Sequence, residues 1–143
     1  AFPELYATVI HPQIEVKTSA ARAMLPKDVP LAEAVRNWSN LGAFVAALAS
    51  GDLDLLARSM VDTIVEPARQ ALIPKFAELK AASLAAGAIG GGISGSGPSV
   101  FMLSESSAIA EYVREAMNMV YGPTGIDFNT YVSRISPHGV RVA

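Results

Sequence analysis

Five of the chain's eleven glycines fall in one run, Gly90-Gly91-Gly92-Ile93-Ser94-Gly95-Ser96-Gly97-Pro98-Ser99. Apolar segments flank it, Ala88-Ile89 before and Val100-Phe101-Met102-Leu103 after. A backbone this poor in Cβ atoms turns tightly, takes positive φ, or lies against something a side chain would strike. A flexible linker, a hairpin between strands and a ligand-facing loop are the three readings. The apolar flanks favour a packed interior over a linker. Gly90, Gly92 and Gly95 have the spacing of a dinucleotide loop, but that loop needs a helix after it. Here a strand follows, so the match is accidental, and no Gly-Lys-Ser/Thr is present to make a Walker loop. What is left is strand, loop, strand, with backbone N–H groups able to take an anion or the polar end of a metabolite.

A chain of 143 residues, 51 % hydrophobic and 17 % charged, is expected to form one globular domain with a proper core. It has no cysteine, which excludes disulfides, thiolate metal sites and cysteine nucleophiles. A net charge of −2 gives no reason to expect nucleic acid or an anionic membrane as partner. No apolar run approaches the ~18 residues of a spanning helix, and no signal-peptide pattern opens the chain. A soluble, cytoplasmic domain is expected. Ala1-Phe2-Pro3 leads straight into an apolar run, as in a fragment or an excised domain.

Leu5 to Ile10 reads as a strand, with Ile14 to Lys17 as a short continuation. Thr18-Ser19 caps a brief helix over Ala20 to Leu25. Pro30 opens a longer helix in which Leu31, Val35, Trp38, Leu41, Val45 and Leu48 form one apolar stripe, expected to face the core. Asp52 caps the next helix, striped by Leu53, Leu56, Met60 and Ile64, with Asp52, Asp54 and Asp62 on its solvated face. Trp38 and Met60 are expected in the core. Glu66-Pro67 restarts the chain, and a helix runs from Pro74 towards Gly87. Ser99 to Leu103 is the clearest strand. Ser106 or Ser107 caps a helix with Ile109, Tyr112, Val113, Ala116, Met117 and Val120 on one side. Phe128 to Ile135 and Val140 to Val142 read as the last strands.

This order predicts an α+β fold: a ferredoxin-like β-α-β-β-α-β skeleton, its antiparallel sheet covered by helices on one face, with extra helices in the first crossover.

His11 and His138 read as turn or surface residues, too scattered for a metal site. No serine has a matching histidine and acid, so hydrolase chemistry has no support. Thr18 and Arg22 lie one helical turn apart and share a face. Arg69 follows Glu66-Pro67 in the first turn of a helix. A guanidinium grips a carboxylate with two parallel hydrogen bonds, although either arginine also reads as a surface ion-pair residue.

Gly92-Ile93-Ser94-Gly95-Ser96-Gly97-Pro98-Ser99 resembles the third motif of the GHMP kinase superfamily. Lys17-Thr18-Ser19-Ala20-Ala21-Arg22-Ala23-Met24-Leu25-Pro26, Val65-Glu66-Pro67-Ala68-Arg69-Gln70-Ala71-Leu72-Ile73-Pro74 and the ending Ser133 to Arg141 resemble the C-terminal half of the homoserine kinase family. The family's first two motifs, including the phosphate loop, and its acidic magnesium ligand have no counterpart here. The resemblance therefore implies a single GHMP kinase C-terminal domain over residues 1–143, without the N-terminal ATP-binding domain. It implies L-homoserine as substrate, with ATP and magnesium used by the full-length enzyme. Arg22 and Arg69 would hold the substrate carboxylate, Thr18 would add a hydroxyl contact, and Gly95, Ser96 and Gly97 would back the substrate. No catalytic residue and no metal ligand is assigned to this chain, which would be inactive alone and pair as a homodimer. Another GHMP kinase acting on a small alcohol such as mevalonate, and a ferredoxin-like amino-acid-binding regulatory module, are the alternatives.

Overall fold

The computed structural model describes residues 2–139; the short strand expected over residues 140–142 lies outside them. Strand β1 (Tyr6–Pro12) is the spine of a four-stranded sheet in the order β2-β3-β1-β4, where β2 is Gly90–Ile93, β3 is Val100–Ser104 and β4 is Phe128–Arg134. Every neighbouring pair is antiparallel, with Ile10 opposite Val100 on one side and Thr130 on the other. This is the strand order of the ferredoxin-like skeleton that the sequence predicts. Ile14 to Lys17 carries no strand; β1 stops at Pro12, and Gln13 makes a last backbone bond to the Asp127 carbonyl at 2.7 Å.

Alternate residues of the strands serve two separate cores, as the period of two requires. Ile10, Val100 and Met102 pack with Phe76 and Leu79 of α5 (Phe76–Ala85) and with Val113, Met117 and Tyr121 of α6 (Ser107–Tyr121). Buried Thr8 points the same way and donates to the Ala110 carbonyl at 2.9 Å. Ser106 caps α6 by accepting from the Ile109 amide at 3.2 Å. The buried face of α6 is Ala110, Val113, Met117 and Tyr121, so Tyr112 points into solvent rather than into the core.

On the other face Leu103 is buried and Ala7 and Phe101 half-buried, against Phe44, Ala47 and Leu48 of α2 (Leu31–Ser50) and Leu53 and Leu56 of α3 (Leu53–Ser59). These are the extra helices of the first crossover, and they cover part of the second face. Asp52 caps α3 as expected, accepting from the Leu55 amide at 2.8 Å. Met60 packs in this second cluster, but Trp38 does not: it is 64 % exposed, and Leu31, Val35, Leu41 and Val45 are exposed with it. Helix α2 is apolar on two sides, and periodicity cannot tell which side the fold covers. The sheet takes the side carrying Phe44, Ala47 and Leu48.

Asp62 also departs from expectation. Helix α3 ends at Ser59, and the Asp62 carboxylate instead organises the start of α4 (Val65–Arg69). It accepts from the amides of Ile64 and Val65 at 2.9 Å and Glu66 at 3.0 Å, and from the Asn37 side chain at 3.0 Å. Asn37 in turn accepts from the Thr63 amide at 3.1 Å and hydroxyl at 2.9 Å. Desolvation works to raise the Asp62 carboxyl, but these donors outweigh it and hold the group below the ordinary aspartate value. A depressed folded pKa stabilises above the unfolded pKa and is lost as pH falls through the folded one. Asp62→Ala is therefore expected to cost about 1 kcal/mol near neutrality, the size of a lost helix cap. In denaturant titrations the difference from the parent should shrink as the pH falls below ~3.9, the unfolded aspartate pKa.

Candidate functional site

Helix α1 (Thr18–Ala23) has only Ala21 buried, and Thr18 and Arg22 stand exposed on it. No ion pair of the described residues involves Arg22. Six residues do not hold a helix by themselves, so its position is set from outside. The half-buried Arg69 guanidinium does this: Nε donates to the Ala21 carbonyl at 3.2 Å and Nη1 to the Gly95 carbonyl at 3.0 Å. One side chain thus joins α1, α4 and the glycine loop, bringing Thr18, Arg22, Arg69 and Gly95 into one neighbourhood. Of the five N–H groups on a guanidinium, three remain for a ligand.

The loop between β2 and β3 closes with Ser94 N donating to the Ser99 carbonyl at 2.8 Å and Gly97 N to the Ser94 carbonyl at 3.0 Å. Gly95 and Gly97 have φ of +61° and +82°, a region that strains other residues. The two differ in surroundings. A Cβ on Gly95 would meet nothing within 4 Å, whereas one on Gly97 would lie 3.2 Å from Ile73 Cδ1 and 3.4 Å from Ile93 Cγ2. Gly95 faces open space, and Gly97 is wedged against apolar side chains. Among the described residues no protein acceptor is bonded to the amides of Gly95 and Ser96.

Gly95 also forms part of the wall of a cavity of about 350 Å³ between α2, the α3–α4 connection and β2, with Asn37, Phe44, Met60, Glu66 and Gly92 among its lining. Glu66 is paired with Lys80 of α5, and both are largely covered. The missing side chain of Gly92 makes room for that carboxylate, since a Cβ there would lie 2.7 Å from Glu66 Oε2. Gly91 is tighter still: a Cβ would lie 2.0 Å from the Phe101 carbonyl oxygen. Thr18, Arg22, Arg69, Ser96 and Gly97 do not line this cavity.

Sequence reasoning missed the Glu66–Lys80 pair and the Asn37–Asp62 network, because their partners lie on different helices with no fixed spacing. It also misplaced His11, which sits in β1 and bonds through Nδ1 to the Ser99 hydroxyl at 2.7 Å. Its neighbour across β1 and β3 is set by register alone, and no local motif marks it. His138 lies in the expected turn, its amide donating to the Ser136 hydroxyl at 3.1 Å.

The chain is 44 % identical over 141 residues to the homoserine kinase of Chloroherpeton thalassium, covering 98 % of this chain and 44 % of that protein. It is 45 % identical over 140 residues to the homoserine kinase of Chlorobaculum tepidum. The chain therefore spans less than half the length of these relatives. It superimposes on the crystal structure of homoserine kinase from Cytophaga hutchinsonii with a TM-score of 0.89 at 49 % identity, covering 92 % of this chain and 43 % of that one. A phosphomevalonate kinase from Streptococcus pneumoniae shares the fold at 16 % identity and a TM-score of 0.70. The family model described as GHMP kinases C terminal matches residues 44–121, more than half of the sequence. With the ferredoxin-like sheet and its glycine loop, that match shows that the chain belongs to the C-terminal family of the GHMP kinases.

Proposed function

We propose that this chain is the substrate-binding C-terminal half of a homoserine kinase, the enzyme that moves the γ-phosphoryl group of ATP to the hydroxyl of L-homoserine. The observation that carries this reading is the Arg69 guanidinium, fixed between the Ala21 and Gly95 carbonyls and so tying helix α1, which carries Thr18 and Arg22, to the loop. Two cations at this spot suit a small amino acid's carboxylate, and a bidentate grip orients the molecule as well as binding it. Among the described residues Arg22 pairs with no carboxylate, and Arg69 keeps three donors after tying the backbone. The open side of Gly95, with the unbonded amides of Gly95 and Ser96, lets a ligand approach the backbone closely. Gly97 supports the loop from beneath.

Phosphoryl transfer rests mainly on positioning and charge stabilisation, and this chain contributes the positioning. Among the described residues no three His, Asp or Glu side chains gather into a cation site. On this reading ATP and magnesium belong to an N-terminal kinase domain, and residues 1–143 form one C-terminal domain that is inactive by itself. No described helix is long and apolar enough to cross a membrane, and the reading places the enzyme in the cytoplasm, as a homodimer, making phosphohomoserine for threonine synthesis.

In the enzyme that includes the N-terminal domain, Arg22→Ala and Arg69→Ala are each expected to raise the homoserine KM tenfold or more, since a charge-assisted bond is worth roughly 1.5–3 kcal/mol. Thermal unfolding separates their roles: Arg69→Ala should also lower Tm, because two backbone ties are lost, whereas Arg22→Ala should leave it unchanged. Unaltered homoserine kinetics in both variants would sink the assignment.

A substitution at Gly97 tests the loop. Gly97→Val meets both the positive φ and the Ile73 and Ile93 side chains, so turnover should be lost together with the loop's conformation. Full turnover in a folded Gly97→Val enzyme would make the loop a plain hairpin.

A further inference from the structure

His11 stands where strand β1 loses its backbone hold on β3. The last paired residues of the two strands are Ile10 and Val100; one further antiparallel step sets His11 opposite Ser99, and the next sets Pro12 opposite Pro98. A proline has no N–H to donate, so the ladder does not run on past this point. A side-chain bond takes its place: His11 Nδ1 and Ser99 Oγ lie 2.7 Å apart, half-buried. Among the described residues the imidazole has no other hydrogen-bond partner. Ser99 is also the residue that closes the glycine loop. Its carbonyl accepts from the Ser94 amide at 2.8 Å, and the Ser94 carbonyl accepts from the Gly97 amide at 3.0 Å. From the other side Arg69 holds the Gly95 carbonyl at 3.0 Å. The loop thus has one mooring in α4 and another in β1, a strand paired on both sides.

We propose that His11 is a positioning residue for the substrate: through the Ser99 hydroxyl it fixes the glycine loop, and with it the Gly95 and Ser96 amides left free for the amino acid. The inference rests on the homoserine kinase reading. Gly95 and Gly97 take positive φ, and glycine has the most conformational freedom to lose on being ordered. With the β1 mooring gone, the arm of the loop that enters β3 is free to shift, and the amides shift with it. His11 itself touches no substrate and acts only through Ser99. The bond is indifferent to the charge of the ring. A hydroxyl both donates and accepts, so it donates to an unprotonated Nδ1 and accepts from a protonated one. That separates His11 from a general acid or base, whose contribution follows its protonation state.

Kinetics of the enzyme that includes the N-terminal domain test this. Ser99→Ala removes one oxygen atom and His11→Ala removes the ring. Each is expected to raise the homoserine KM roughly threefold to tenfold, the worth of one hydrogen bond, while the ATP KM stays at the parent's value. Both substitutions break the same bond, so the double variant should be no worse than the more impaired single one. The pH profile of kcat/KM should keep the parent's shape in every variant. If His11→Ala does not fold, Ser99→Ala carries the test, since it leaves the ring in place. An unchanged homoserine KM in Ser99→Ala, an equal rise in the ATP KM, effects that multiply in the double variant, or a limb of the pH profile that vanishes with His11 would each overturn the proposal. The kinase reading is tested separately. If Arg22→Ala and Arg69→Ala raise the homoserine KM and Ser99→Ala does not, only the role of His11 falls.

Discussion

The site depends on one guanidinium. Arg69 does what neither of the elements it touches can do by itself: it fixes a six-residue helix with a single buried side chain, and it fixes a loop that turns through two positive-φ glycines. Its own placement is inherited. Helix α4 has five residues, too few to be stable in isolation, and its first turn is held by the Asp62 carboxylate, whose orientation depends on Asn37 of α2. A chain of polar contacts therefore runs from the middle of the longest helix to the glycine loop. All but the last link, from Arg69 to the Gly95 carbonyl, are partly covered, where hydrogen bonds to a charged group are stronger than in open water.

The glycine run divides its work along its length. Gly91 and Gly92 are glycines because backbone and carboxylate pass where a Cβ would sit: the Phe101 carbonyl beside the first, Glu66 beside the second. Gly97 is a glycine for its φ and for the isoleucines packed against it. Gly95 alone combines a left-handed backbone with open space above it. The tight approach of β2 to its neighbours and the open approach at Gly95 are thus separate properties of one stretch, the first serving the fold and the second leaving a wall free for a ligand.

The α2 helix shows how two demands can share one element. Its inner side, Phe44, Ala47 and Leu48, belongs to the second core, while its outer side carries a larger apolar stripe with no cover among the described residues. Asn37 and Phe44 also form part of the cavity wall, so the helix links the second core to that cavity. Anything that shifts α2 would be felt at Asp62 and, through α4, at Arg69.

The sequence by itself determined the four strands of the sheet, the helix caps at Asp52 and Ser106, the ferredoxin-like order and the segments that carry the resemblance, because these follow from local periodicity, capping chemistry and motif spacing. It also singled out the arginines and the loop, but only as separate pieces. The tertiary structure alone decided which side of α2 is buried, where Asp62 acts, that Glu66 pairs with Lys80, and that Arg69 ties the backbone of α1 to that of the glycine loop. Those outcomes depend on which surfaces the sheet brings into contact. An apolar stripe or a charged side chain has the same pattern in sequence whether it ends against the core, against a partner or in water; only the arrangement of its neighbours separates the three.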